Sequence, residues 1–180
     1  MSPKTRALVV AGALASAALT ATGSAAATRG TAPQAATDVP ACETSHTQVN
    51  LHESGFAAAG NTGLVLTLTN ASDHTCRVDG YPGLVMEDSQ HRALPTNVTE
   101  GSTYITPDPG TTDIDLAPGE RASAFVGWST PEGTSDVTPS YLRVSLPGGT
   151  GYLRAPFQPA NVTNGNLGVT ALARHTPVPY

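Results

Sequence analysis

Gly63-Leu-Val-Leu-Thr-Leu-Thr-Asn-Ala-Ser-Asp-His-Thr-Cys-Arg-Val-Asp-Gly-Tyr-Pro-Gly83 is the stretch on which the reading of this 180-residue chain turns. Leu64, Leu66 and Leu68 alternate with Val65, Thr67 and Thr69, the two-residue period of a strand with one buried face. Asn70 to Thr75 is rich in turn formers, so the strand should stop there. Cys76, one of only two cysteines, follows. Gly80-Tyr-Pro-Gly83 then makes a second tight bend. The stretch reads as a core strand, a stapled turn and a corner into the next strand.

Working outward, residues 1–27 read as a signal peptide. Lys4 and Arg6 supply the positive start, Ala7 to Leu19 the apolar run, and Ala25-Ala26-Ala27 the small residues for cleavage. Ser16, Thr20 and Thr22 break the run, whereas a membrane helix needs about 20 apolar residues. No cysteine sits beside the cleavage site, so the mature chain is expected to be secreted, extracellular and unanchored. Removing 27 of 180 residues leaves 153, enough for one domain with its own core. The single lysine, Lys4, leaves with the signal, and seven arginines then face fourteen acids, a net charge of −7. That balance argues against nucleic acid and anionic membranes as partners. In an exported chain, Cys42 and Cys76 favour a disulfide over a metal site or reactive thiol. The bridge would close a loop of 35 residues, worth roughly 3–4 kcal/mol in the chain-entropy picture.

Residues 28–41, rich in Thr, Ala, Pro and Gln, read as a flexible tether, and the domain is expected over 42–173. Thr47 to Leu51 alternates, with His46 and His52 outward. As ligands for one ion these histidines fail, because six strand residues span about 20 Å. Ser54 to Asn61 reads as a small-residue connection, with Phe56 a plug over the sheet edge. Leu84 to Met86 is a short strand ended by the polar run Glu87 to His91, and Arg92 to Gly110 is the least regular part. Thr111 to Leu116 is a strand with Ile114 and Leu116 inward. Ala117-Pro-Gly-Glu120 is a turn. The strand after it carries Ala124, Val126 and Trp128 on one face, Trp128 as core. Thr130 to Pro139 is a loop, and Tyr141–Leu146 pairs with Gly151–Ala155 across Pro147-Gly-Gly-Thr150. Leu167 to Leu172 is the last strand, and 174–180 a loose tail. Eight or nine short strands with turn residues between them indicate an all-β, single antiparallel β-sandwich of immunoglobulin-like or Greek-key type with one disulfide.

The order Cys42, Leu-Thr-Leu-Thr-Asn70, Cys76, Gly80-Tyr-Pro-Gly83, Leu-Ala-Pro-Gly119, Ala124 and Trp128 resembles the secreted actinobacterial domain of unknown function 4232. The similarity covers about Cys42 to Leu172. It implies an extracytoplasmic β-sandwich and no established activity. Such domains commonly carry a second cysteine pair, which this chain replaces with Thr134-Ser-Asp-Val-Thr-Pro139 and Asn161-Val-Thr-Asn-Gly-Asn166. Its carboxy-terminal third is therefore expected to be less constrained.

The sequence offers no catalytic residues, no metal ligands and no cofactor motif: Gly-x-Ser-x-Gly, His-Glu-x-x-His, a phosphate-binding glycine loop and Cys-x-x-Cys are all missing. Glu87 and Asp88 are adjacent and cannot share a strand face. A calcium site from Asp108, Asp113 and Asp115 matches no known loop spacing. Sequons at Asn70, Asn97 and Asn161 fall in expected turns. Two readings follow: a secreted non-catalytic module binding a cell-envelope or extracellular ligand, or a small extracellular hydrolase or hydrolase inhibitor. A binding surface is read from the hairpin. A four-residue loop sets Val144 opposite Leu153 on the buried side and Arg143 opposite Arg154 outside. Tyr141 and Tyr152 lie beside them. Two facing arginines repel; either a neighbouring acid such as Asp113 or Asp115 neutralises the pair and nothing binds, or an anionic partner is gripped by both.

Overall fold

The computed structural model describes residues 38–130 and 136–175. The segment read as a signal peptide, most of the one read as a tether, residues 131–135 and the end of the one read as a tail lie outside the described residues. Among the described residues no helix is long and apolar enough to cross a membrane.

The described residues form twelve strands: β1 (Thr47–Ala58), β2 (Asn61–Asn70), β3 (Cys76–Val78), β4 (Gly83–Glu87), β5 (Asn97–Glu100), β6 (Ile114–Leu116), β7 (Arg121–Ser129), β8 (Asp136–Val137), β9 (Tyr141–Ser145), β10 (Leu153–Pro156), β11 (Val162–Thr163) and β12 (Asn166–Val169). They form a five-stranded sheet β1-β2-β7-β12-β5, a three-stranded sheet β10-β9-β4, and the pairs β11-β8 and β3-β6. The chain is all-β, as expected. The described residues form four sheets rather than clearly a single sandwich, and β12 pairs with β5 in parallel.

Leu66 and Leu68 are fully buried and Leu64 nearly so. Each stabilises by roughly 1.5–3 kcal/mol relative to exposure. Beside them in the same sheet lie Ala122, Ala124 and Val126 of β7 and Leu167 and Val169 of β12. One core cluster joins these to Leu84 and Met86 of β4, Leu142 and Val144 of β9, Val78, Ile114 and Leu116. Trp128 is partly buried against that core, edge-on to Phe157 with ring centroids 5.2 Å apart.

The stapled turn is built as read. Cys42 and Cys76 are disulfide-bonded, with Cα atoms 4.8 Å apart. Asn70, 1 % exposed, donates from Nδ2 to the carbonyls of His74 and Leu116, both at 2.8 Å. Its Oδ1 accepts from the Ser72 amide and hydroxyl. One buried amide therefore fastens the turn to β6 with every polar atom satisfied. At the Gly80–Gly83 corner, the Tyr81 hydroxyl donates to Asp108 at 2.7 Å. The Leu172 amide donates to the Gly80 carbonyl.

Several boundaries differ from the sequence reading. β1 continues through the small residues to Ala58, with a register shift between Glu53 and Ala57. The connection shrinks to Ala59-Gly60, both at positive φ, the backbone of a two-residue hairpin turn. β5 emerges inside the irregular Arg92–Gly110 region because β12 offers it a partner. β8 and β11 pair within segments read as loops, and β12 ends at Val169. The domain reaches back before Cys42, since the Arg77 amide donates to the Pro40 carbonyl. Arg174, assigned to the tail, is held by Glu120 and by the Asp115 carbonyl. Of the sequons, Asn70 is buried and Asn97 lies in a strand.

Candidate functional site

The hairpin register is the one the apolar pattern demanded: Leu153 opposite Val144, Arg154 opposite Arg143 and Ala155 opposite Leu142. Leu142 and Val144 are fully buried and Arg143 is half-buried between them. β4 pairs on the far side of β9, with Val85 opposite Arg143 and Glu87 opposite Tyr141. Alternation puts Val85, Glu87, Tyr141, Arg143 and Arg154 on one face of this sheet.

Glu87 was read as the start of a polar, strand-ending run. It is instead the last residue of β4, and it is 1 % exposed. Arg154 grips it through Nε to Oε2 at 2.6 Å and Nη2 to Oε1 at 3.3 Å. Arg143 Nη1 lies 3.6 Å from Oε1, and His91 Nδ1 3.7 Å from Oε2. His91 returns to this place through a tight turn. There Asp88 accepts from the Gln90 and Arg92 amides at 2.8 and 2.9 Å. The His91 ring lies over Tyr141, with centroids 4.5 Å apart.

Against the two guanidinium groups lies Tyr152, 47 % exposed. The Arg143 and Arg154 guanidinium carbons lie 4.7 and 5.5 Å from its ring centroid, within cation–π range. The hydrogen bond from Arg154 holds the Glu87 carboxyl below its ordinary range, against a burial that opposes ionisation. The same bond raises the Arg154 guanidinium. An ionised acid held by two guanidinium groups leaves the cluster one positive charge in excess.

The structure thus brings all four sequence-derived candidates, Tyr141, Arg143, Tyr152 and Arg154, to one face. It corrects the identity of the balancing acid, which is neither Asp113 nor Asp115. Those two hold Arg77: Asp115 Oδ1 is 2.6 Å from Nε and Asp113 Oδ2 3.2 Å from Nη1. Sequence reasoning missed Glu87 and His91. The available signal was that Glu87 continues the Leu84-Val85-Met86 alternation on the Val85 side, if the strand runs one residue further.

The remaining sequence candidates stay apart. Asp108 serves the Tyr81 hydroxyl and the Ala171 amide at 2.7 Å each, away from Asp113 and Asp115. Among the described residues no group of three His, Cys, Asp or Glu is placed to hold a metal ion. His46 faces Glu43 at 3.7 Å. A depression of about 580 Å³ gathers His52, Glu120, Ser123, Arg174 and His175. The Ser123 hydroxyl there pairs with the Thr67 hydroxyl at 3.2 Å. Glu120 is bound by the Ala117 amide and Arg174. Among the described residues Ser123 forms no hydrogen bond to a histidine, the contact an acyl-transfer nucleophile requires.

A family model described as "Domain of unknown function (DUF4232)" matches residues 42–173. No curated protein matches the chain, and no solved structure does.

Proposed function

The chain belongs to the DUF4232 family, whose description names no activity, and we propose from the geometry of the β10-β9-β4 face that it is a non-catalytic extracellular module binding an anionic cell-envelope partner. The observation that carries this reading is Tyr152. Its ring is exposed yet held against two guanidinium groups, which a buried carboxylate holds in place. Ordering such side chains before the partner arrives lowers the entropy lost on binding. Arg154 is engaged twice by Glu87, so Arg143, with its longer 3.6 Å contact, supplies the free donors. Tyr152 adds flat, amphipathic area of the kind enriched at interfaces. A carboxylate or phosphate on an extracellular polymer fits that pairing.

Arg143→Ala with Tyr152→Ala tests this while sparing the Glu87–Arg154 bond. Co-sedimentation with cell-wall fragments bearing anionic polymer should fall at least about tenfold while the domain stays folded, because Arg154 still pairs with Glu87. Wild-type retention should weaken with added salt. Retention undiminished in the double variant sinks the assignment.

A further inference from the structure

The other face of the five-stranded sheet carries a second site of different chemistry. Gly63, Gly127 and Gly168 stand side by side on β2, β7 and β12. Their missing side chains make a trough across three strands. The Phe125 ring lies where a Cβ of Gly63 would stand, and Thr103 packs over Gly127 and Gly168. Thr103 belongs to a strap, residues 101–110, fastened at both ends. The Gly101 amide donates to the Val169 carbonyl at 2.9 Å, and Asp108 holds the Ala171 amide and the Tyr81 hydroxyl. Between them the Thr106 amide donates to the Thr103 hydroxyl at 2.9 Å. That tight turn presents Tyr104, at 71 % the most exposed of the large hydrophobic side chains described.

Beside the strap the trough stays open as a groove of about 230 Å³, floored by Gly127 and Gly168. Asn61 and Ser129 form one wall, tied together by a 2.9 Å hydrogen bond. Thr99 and Asn166 form the other, with Tyr104 at the rim. Asn166 spends its carbonyl oxygen on Asn97, and among the described residues its amide protons have no protein partner. Among the described residues the Thr99 and Tyr104 hydroxyls have no protein partner. Among the described residues no carboxylate, guanidinium or imidazole lines the groove.

We infer that this groove binds a neutral saccharide, one ring at a time. Uncharged amide and hydroxyl groups match sugar hydroxyls, while a charged ligand would be desolvated there without a counter-charge. The volume lies below the roughly 300–1,000 Å³ of sites that enclose drug-sized ligands, so a single ring enters and the rest of a chain stays outside. Tyr104 offers its apolar ring face to the sugar and its hydroxyl to water. This inference does not depend on the arginine face, which lies on another sheet.

The purified chain is titrated by NMR with two probes, a β-linked glucose tetrasaccharide and a β-linked N-acetylglucosamine tetrasaccharide. Shifts confined to the amides of Thr99, Tyr104, Gly127, Asn166 and Gly168, saturating in the millimolar range or below, are expected with at least one probe. Tyr104→Ala should weaken binding about 3- to 10-fold at unchanged melting temperature. Asn166→Asp should weaken it comparably, and Tyr152→Ala should leave it intact. No shifts with either probe up to about 10 mM overturns the inference. So does binding that survives Tyr104→Ala, or shifts produced equally by a neutral extended peptide.

Discussion

Two arginine–carboxylate clusters brace this domain with opposite stoichiometry. Beside the disulfide, Arg77 on β3 holds two acids, Asp113 and Asp115, and Asp115 is its direct cross-strand partner on β6. On the three-stranded sheet, one acid, Glu87, holds two arginines. The first cluster is half open to water, its side chains 34–65 % exposed. In the second the carboxylate is 1 % exposed and the arginines 31 %. Water screens the first pair heavily, so its geometry is worth little. The second has taken its acid out of water, so removing a partner strands a buried charge. The same contrast decides which cluster can recognise something. Arg77 is over-neutralised, and the corner beside it is already held covalently. The Glu87 cluster keeps one positive charge over, and an exposed ring to present it.

The largest effect that sharpens this contrast should come from the covalent side. Cys42→Ser with Cys76→Ser should cost roughly 3–4 kcal/mol, read as a lower denaturant midpoint with the strand signal retained in whatever still folds. A midpoint within experimental error of wild type would mean that the half-exposed ion pairs suffice there.

Next is the comparison of the two clusters themselves. Arg154→Ala should cost about 3 kcal/mol, because Glu87 stays buried with only the longer contacts of Arg143 and His91. Asp115→Ala should cost less than about 1 kcal/mol, since Arg77 keeps Asp113 and solvent. Equal costs in chemical denaturation would break the distinction drawn between buried and half-exposed.

The smallest effect is a slope with pH. Arg154 holds the Glu87 carboxyl below its ordinary value of about 4.3. The unfolded chain therefore binds the proton first as pH falls. The stabilisation is complete above about pH 4.3 and is lost as pH drops through the lowered folded value. Glu87→Gln should flatten the fall of stability below about pH 4.3. Asp115, Asp88 and Glu120 are also lowered, so a residual slope should remain. An unaltered slope in Glu87→Gln would show that Glu87 titrates as it does in the unfolded chain.

The sequence by itself determined what local periodicity and pairing chemistry can reach. Leu64, Leu66 and Leu68 declared the core strand β2, two cysteines their bridge, and Pro147 to Thr150 the register that sets Arg143 opposite Arg154. A one-residue slip would turn Val144 or Leu153 outward, and the four-residue loop selects the register among those that remain. Tertiary structure decided what depends on partners distant in the chain. β5 is a strand because β12 lies beside it, 69 residues later. Asn70 is a buried clasp rather than an exposed turn residue because Leu116 offers its carbonyl. Glu87 can be an inside charge only because Arg154, 67 residues away, meets it bidentately. Burying an ion depends on where its counter-ion falls, and the polar run Glu87 to His91 carries no trace of that.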